Sequence, residues 1–318
     1  MDLFKNRIAR ILPGIAKLAL IALALVAFKA QAGLLTGRDV LGELHSYNVW
    51  IILASVALTA GSFCVLCGLE LFALKEAGGV STRSISRLRG AATGFVAHAF
   101  SQTLGFALIT GAAVRVRAYS PARVSTGDIA RVSAFVTLTA TLGLVTGGAT
   151  SLLIGAALFT FGGHLFHLHW LGWLLASLVL GYVFWCAVPG NRQLELRGVR
   201  MHRPSGSAAV TQILMATADW ILAGSVLFVL LPRGMFSFPQ FLPAFFVAQT
   251  VAVVSHVPGG LGVFEVILFA LLGVAAGVPV VGASVAAAFL AYRVIYYLLP
   301  LAGAATIALV NDVRPAAR

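Results

Sequence analysis

A chain of 318 residues with 60% hydrophobic and only 10% charged side chains is not a soluble protein, since soluble domains carry roughly 25% charged residues. At ~20 apolar residues per crossing, the length allows about eight to ten membrane segments. Glycine-rich apolar runs without alternation point to helices rather than a barrel. The net charge of +12 does not signal nucleic acid, because Lys and Arg fall mainly in short loops, where they set topology and meet anionic lipid.

The chain begins with Lys5, Arg7 and Arg10, an apolar run over 11–28, and Ala30-Gln31-Ala32. This imitates a signal peptide, but the run is long enough to span and everything after it is polytopic, so we read an uncleaved first helix. Further apolar runs predict helices at 48–74, 90–113, 129–160, 168–188, 208–231, 241–254, 264–277 and 281–310. Cys64 and Cys67 form a CxxC inside the first of these; with no second pair and no nearby His, they read as small helix residues.

The loops between the runs differ in charge. Those at 75–89 (Lys75, Arg83, Arg87, Arg89), 114–131 (Arg115, Arg117, Arg123, Arg131) and 190–206 (Arg192, Arg197, Arg200, Arg203) are basic, while 29–47, 161–168 and 232–240 are nearly neutral. With the basic N-terminus inside, 11–28 exits and 48–74 returns to a basic loop. A full crossing at 90–113 would leave the next arginine-rich loop outside, against the positive-inside rule. A re-entrant hairpin at 90–113 removes the conflict, and its polar middle (His98, Ser101, Gln102, Thr103, Gly105) suits a turn. The helix 129–160 then exits, 168–188 returns and 208–231 exits. A second hairpin over 241–277, with its tip at Pro258, Gly259 and Gly260, goes back to the outside. The last helix finally crosses inward and places Arg314 and Arg318 in the cytoplasm.

The two hairpins share a faint pattern. Phe95-Val96-Ala97-His98 precedes Ser101-Gln102 and Gly105, while Phe246-Val247-Ala248-Gln249 precedes Ser255-His256 and Gly259. Broken segments at corresponding places in inverted halves are the sequence pointer to a transporter site. The expected fold is therefore all-α: one polytopic domain over 1–318, about six to seven spanning helices plus two re-entrant hairpins in a weak inverted repeat, and no soluble domain.

Several motifs have plain readings. Gly143, Gly147, Ser151 and Gly155 form a small-residue stripe for close helix packing. His164, His167 and His169 lack an acidic or cysteine partner and read as interface residues rather than metal ligands. Gly260-x-Gly262-x-x-Glu265 follows an apolar membrane run, not the strand a dinucleotide fingerprint requires. No metal, cofactor or hydrolase constellation is expected.

Ionisable residues at membrane depth carry more information, because each costs roughly 2.5–3.5 kcal/mol at a helix centre and so faces a cavity or a partner. Glu70, Asp219, Glu265 and Arg293 are such residues, and Arg115 and Arg117 follow the first hairpin. Arg293, Tyr296, Tyr297 and Pro300 share a helical face by their spacing, which suits a lipid phosphate. The competing reading is an ion pair of Arg293 with Asp219 or Glu265.

The segments SQTLGFALITGAAVRVRAYS (101–120), DIARVSAF (128–135), ADWILAGSVLFVLLP (218–232), SHVPGGLGVFE (255–265) and AYRVIYYLLP (291–300) resemble the membrane domain of lysylphosphatidylglycerol synthetase/flippases, in order over roughly 45–310. The chain departs from that family's usual look at Gln102-Thr103, where Asn-Asn is common, and at Val116, where Tyr is expected. The resemblance implies a bacterial inner-membrane protein with cytoplasmic termini. It would flip an aminoacylated or other anionic phospholipid to the outer leaflet and contribute to resistance against cationic antimicrobial peptides. In that family a separate cytoplasmic domain makes the lipid from aminoacyl-tRNA. The alternative reading is thus the membrane module of a phosphatidylglycerol aminoacyltransferase whose catalytic domain is absent here. The expected partners are the phospholipid, the bilayer, a synthase domain or protein, and a second copy of the chain.

On the transport reading, Arg115, Arg117 and Arg293 meet the phosphate and Asp219, Glu265 or Glu70 the amine. Ser101, Gln102, His256, Tyr296 and Tyr297 line the path, and backbone amides at Pro258-Gly259-Gly260 are free to bind an anion.

Overall fold

The computed structural model describes residues 42–104, 107–154, 158–161, 164–189, 193–196, 199–235, 237–276 and 282–313. The expected first helix at 11–28, Gly105 at the first hairpin tip, Gly155 of the small-residue stripe, and Arg314 and Arg318 lie outside these residues.

The first described spanning helix, α1 (Val49–Glu76), starts where the Asn48 side chain accepts a hydrogen bond from the Trp50 amide at 2.9 Å, which satisfies one of the orphan donors of a helix start. A short turn, Val80–Ser84, leads into α2 (Arg87–Leu104) and α3 (Ala107–Tyr119). Next come α4 (Thr126–Ile154), a β-hairpin (β1 Leu158–Phe161, β2 His164–His167) and α5 (His169–Ala187). A second β-hairpin (β3 Gln193–Leu196, β4 Val199–His202) precedes α6 (Gly206–Leu230). Then α7 (Phe238–Ser255) and α8 (Val263–Ala276) flank the turn Pro258–Gly260. The last crossing is α9 (Ala283–Tyr292), a π-helical stretch over Arg293–Leu298, and α10 (Leu299–Val313). The molecule is thus a polytopic helical membrane protein, and six of its described helical stretches are long and apolar enough to cross a bilayer. The helix expected over 129–160 ends at Ile154, and Leu158–Phe161 instead pairs with His164–His167 in an antiparallel β-hairpin. A second hairpin fills part of the loop expected at 190–206, and both pair their own backbone groups where a loop would leave them to solvent.

The orientation of each helix follows from its neighbours. Tyr47 donates to the Leu230 carbonyl at 2.8 Å, Ser62 to Asp219 at 2.5 Å, and Gly68 faces Met215, so α1 runs antiparallel to α6. Gln212 donates to Thr139 at 2.6 Å and Gly143 lies against Ala216, so α4 runs parallel to α6. Gly172, early in α5, meets Leu152 and Leu153 at the end of α4, and α5 returns antiparallel. Gly143 and Gly147 do what small residues do between membrane helices: a Cβ on Gly143 would collide with the backbone of α6, and one on Gly147 with the Phe246 ring of α7.

Two helical hairpins enter this frame from opposite ends. Gly90 faces Leu71 and Leu74, Gly94 faces Glu70, and the Phe95 ring meets Phe63 at a tilt, 5.1 Å between centres. The arm α2 therefore climbs α1 from its C-terminal end to about its middle, turns, and returns as α3, whose Arg115 and Tyr119 again reach Glu70. The second hairpin starts at the other end, where Phe238 and Phe241 meet Phe228 near the end of α6. Its return arm α8 packs Phe264 and Phe269 on Phe289 of α9. A large aromatic core, with Phe241, Phe245, Phe246, Phe264 and Tyr292 wholly buried, holds this half together. In lipid such packing, rather than exclusion from water, is what joins helices.

Candidate functional site

The tips of the two hairpins meet inside the bundle. The turn between α7 and α8 needs left-handed backbone at Gly259 (φ 59°) and Gly260 (φ 62°), a conformation that costs other residues roughly 1–2 kcal/mol. Glycine also permits the approach: a Cβ on Gly259 would lie 3.3 Å from the Thr103 carbonyl oxygen of the first hairpin and 3.5 Å from Arg293 Nη1.

Arg293 is held there from three directions. Its Nε donates to Glu265 Oε1 at 2.7 Å, with Nη2 2.5 Å from the same oxygen, and Nη1 donates to the Gly259 carbonyl at 2.5 Å. Its guanidinium sits 4.6 Å from the centre of the Tyr297 ring, a cation–π contact worth ~0.5–2 kcal/mol. The other carboxylate oxygen, Glu265 Oε2, accepts from the Gly262 amide at 2.8 Å and so caps the start of α8. The glutamate three residues past a helix start reaches back in this way in a capping box. That is the role of the residue in the Gly260-x-Gly262-x-x-Glu265 string.

The Arg293–Leu298 segment is π-helical, with the Leu299 amide bonded to the Val294 carbonyl five residues back. Pro300 explains it, because proline has no N–H for the bond four residues back and its ring crowds that turn. The spacing-based face of Arg293, Tyr296, Tyr297 and Pro300 is therefore rewound. Tyr292 and Tyr296 stack at 5.3 Å, and Tyr297 meets both edge-on at 5.7 and 5.4 Å. Tyr296 lies 3.2 Å from Ser62 Oγ, which in turn donates to Asp219. The Gln102 carbonyl oxygen of the first tip lies 3.8 Å from where a Cβ on Gly259 would stand, so α1, α6, both tips and the last crossing meet around this layer.

Of the expected site residues, Gln102, Asp219, Gly259, Gly260, Glu265, Arg293, Tyr296 and Tyr297 come together here. Pro258 opens the turn and is exposed. The others stand apart. Arg115 and Glu70, expected at opposite ends of a ligand, take each other: Nε reaches both carboxylate oxygens at 3.0 and 3.1 Å, Nη2 reaches Oε2 at 2.6 Å, and Tyr119 closes over Oε1 at 2.8 Å. All three side chains are buried. Ser101 is buried beside Gly111 on the Arg115 side of the first hairpin. Arg117 and His256 are exposed, and His256 Nδ1 lies 2.7 Å from the Val254 carbonyl.

Of the two acids open to it, Arg293 pairs with Glu265, while the short hydrogen bond of Asp219 goes to Ser62. One expectation changes. The tip does not offer a row of free amides: Pro258 has none, the Gly260 amide bonds to the Val257 carbonyl at 2.8 Å, and the anion at the start of α8 is Glu265 itself. Ser62, Tyr119 and Tyr292 were not singled out. One serine in an apolar helix carries no sequence signal, whereas Tyr292 stood beside Arg293 in AYRVIYYLLP. Among the described residues no group of His, Cys, Asp and Glu could hold a metal ion.

No family model matches the chain. It is 34% identical to the uncharacterized protein slr0712 of Synechocystis sp. over 280 residues, which cover 82% of this chain and 83% of that protein. It is 27% identical to the inner membrane protein YbhN of Escherichia coli over 273 residues, 83% of this chain and 81% of that one. It is 22% identical to a phosphatidylglycerol lysyltransferase of Staphylococcus haemolyticus over 300 residues; these are 93% of this chain and 34% of that enzyme, so the chain spans about a third of its length.

Proposed function

The chain belongs to the family of the Synechocystis protein slr0712, and we propose that it moves an aminoacylated or other anionic phospholipid from the inner to the outer leaflet of a bacterial inner membrane. The observation that carries this reading is the closure of both hairpin tips on one ion pair, Arg293 with Glu265. Removing one partner from a buried pair strands the other charge, at about 3–5 kcal/mol. A lipid that brings both a phosphate and an amine strands neither: the phosphate takes Arg293 and the amine takes Glu265. Such a lipid opens the tip contact by exchanging partners, while a lipid with no ionised group in its head has nothing to exchange. Similarity to an inner membrane protein and to part of a phosphatidylglycerol lysyltransferase supports the membrane and the lipid class. Outward movement of lysyl-phosphatidylglycerol would make the surface less attractive to cationic antimicrobial peptides.

In proteoliposomes with labelled lysyl-phosphatidylglycerol, the wild type brings label to the opposite leaflet, and Arg293→Ala and Glu265→Gln do not. If both variants translocate as well as the wild type, the tip pair is not the site. If the wild type moves no anionic or aminoacylated lipid, the transport reading itself fails. The similarity to the lysyltransferase keeps a second reading, the membrane module of an aminoacyltransferase. On that reading the chain translocates nothing alone and raises lipid aminoacylation when supplied with a synthase.

A further inference from the structure

The end of the bundle where α1 stops is cationic, and its charge is arranged against the local helix. The first turn of α2 holds Arg87 and Arg89 and no acidic residue, although a helix start carries partial positive charge and favours anions. Beside it, α1 ends in Lys75, whose partner Glu76 is 3.9 Å away and leaves the amine mostly exposed. Arg83 projects from the Val80–Ser84 turn between them. Among the described residues neither Arg83 nor Arg87 makes an ion pair.

These cations border a crevice of about 840 Å³ whose inner wall includes Leu71, Phe72 and Met215, at the upper part of the range for small-molecule sites, ~300–1,000 Å³. The wall is not a loose loop. Thr82 Oγ1 reaches the Gly79 carbonyl at 2.7 Å and the Leu74 carbonyl of α1 at 3.3 Å, and Ser81 donates to Asp128 of α4, while the Ser125 amide donates to Ser81 at 3.2 Å. The turn is thus pinned between α1 and α4. A cationic mouth on an apolar floor, at the end of a membrane helix, fits a molecule with a phosphate at one end and hydrocarbon at the other.

We propose that this crevice is a binding site for a phosphate-bearing amphiphile, with Lys75, Arg83 and Arg87 on the phosphate and Leu71, Phe72 and Met215 on the chains. It is separate from the hairpin tips and does not depend on translocation. The test is lipid retention by the purified protein, read by native mass spectrometry after exposure to phosphatidylglycerol or phosphatidylcholine. The wild type keeps phosphatidylglycerol preferentially. The double variant Arg83→Gln with Arg87→Gln loses roughly ten- to thirtyfold in retention, the scale of two interfacial cations. Met215→Trp, which fills the floor, lowers retention with the charges intact. Arg89→Gln, in the same first turn of α2 but outside the crevice, retains lipid like the wild type. Equal retention by the wild type and the double variant overturns the site, and so does equal loss in Arg89→Gln. Displacement by glycerol phosphate at matched concentration assigns the crevice to a soluble phosphate and overturns the amphiphile. If no lipid is translocated but retention still depends on Arg83 and Arg87, the transport reading falls and this site stands.

Discussion

The two hairpins enter from opposite ends, and each contributes to a buried Arg–Glu pair, yet they use it differently. In the first, Arg115 and Glu70 join the return arm to α1 through three hydrogen bonds, with Tyr119 completing the shell. The pair sits well below the tip and is sealed, with side chains 3% and 0% exposed. In the second, Glu265 stands at the tip and its partner Arg293 belongs to the last crossing, with 12% and 9% exposure. Part of the arginine's bonding there goes to a backbone carbonyl of the turn. A sealed pair with every strong contact internal fastens a hairpin in place. A pair at the meeting point of two tips, partly open and partly satisfied by a turn, can exchange partners. The comparison separates a clamp from a gate among residues of identical chemistry.

The largest expected effect tests the clamp. Glu70→Ala leaves Arg115 buried without its carboxylate, and a stranded charge of this kind costs about 3–5 kcal/mol. Thermal unfolding in detergent should show a large drop in Tm and a low yield of folded protein. A Tm near wild type would mean that the first pair is not structural, and the contrast between the hairpins would dissolve. A middle-sized effect tests the gate. Gly259→Ala forces a Cβ into left-handed backbone at roughly 1–2 kcal/mol and pushes it toward Thr103 and Arg293. Translocation should fall more than Tm does. Thr103→Cys combined with Gly259→Cys should also cross-link under mild oxidation in a background without Cys64, Cys67 and Cys186. Failure to cross-link would show that the tips do not meet in the membrane. The smallest effect tests the layer beneath the tips. Tyr296→Phe removes the contact with Ser62 at 3.2 Å and should cost about 1 kcal/mol, with Arg293 and Glu265 still paired. A loss as large as that of Glu70→Ala would mean that the tyrosine layer, not the ion pair, holds the tips.

Much of this frame was legible in the chain itself. Apolar runs placed several helices to within a few residues: 48–74 became Val49–Glu76 and 208–231 became Gly206–Leu230, whereas 129–160 overran the helix end at Ile154 into the strand Leu158–Phe161. The stretches read as hairpins at 90–113 and 241–277 are occupied by two antiparallel helix pairs, Arg87–Leu104 with Ala107–Tyr119 and Phe238–Ser255 with Val263–Ala276. The first was misjudged at its end because Arg115 and Arg117 were counted with the loop after it. They lie on its last turns, where Arg115 can be buried only because Glu70 receives it. The site was legible in part. Glu265 and Arg293 stood out as charges in apolar surroundings, but so did Glu70, Asp219 and Arg115, and nothing in their types tells a clamp from a gate.

The sequence by itself determined that the protein lives in a membrane, that its helices break at two tips, and that its charge is biased to one end. Hydropathy, turn chemistry and loop charge act over a few neighbouring residues, so they can be read along the chain. Tertiary structure alone decided which acid meets which base. Glu265 finds Arg293 across 28 positions, Glu70 finds Arg115 across 45, and Asp219 reaches Ser62 across 157. A buried charge takes whichever opposite group the packing of helices delivers at hydrogen-bond distance, and that packing depends on helices far apart in the chain.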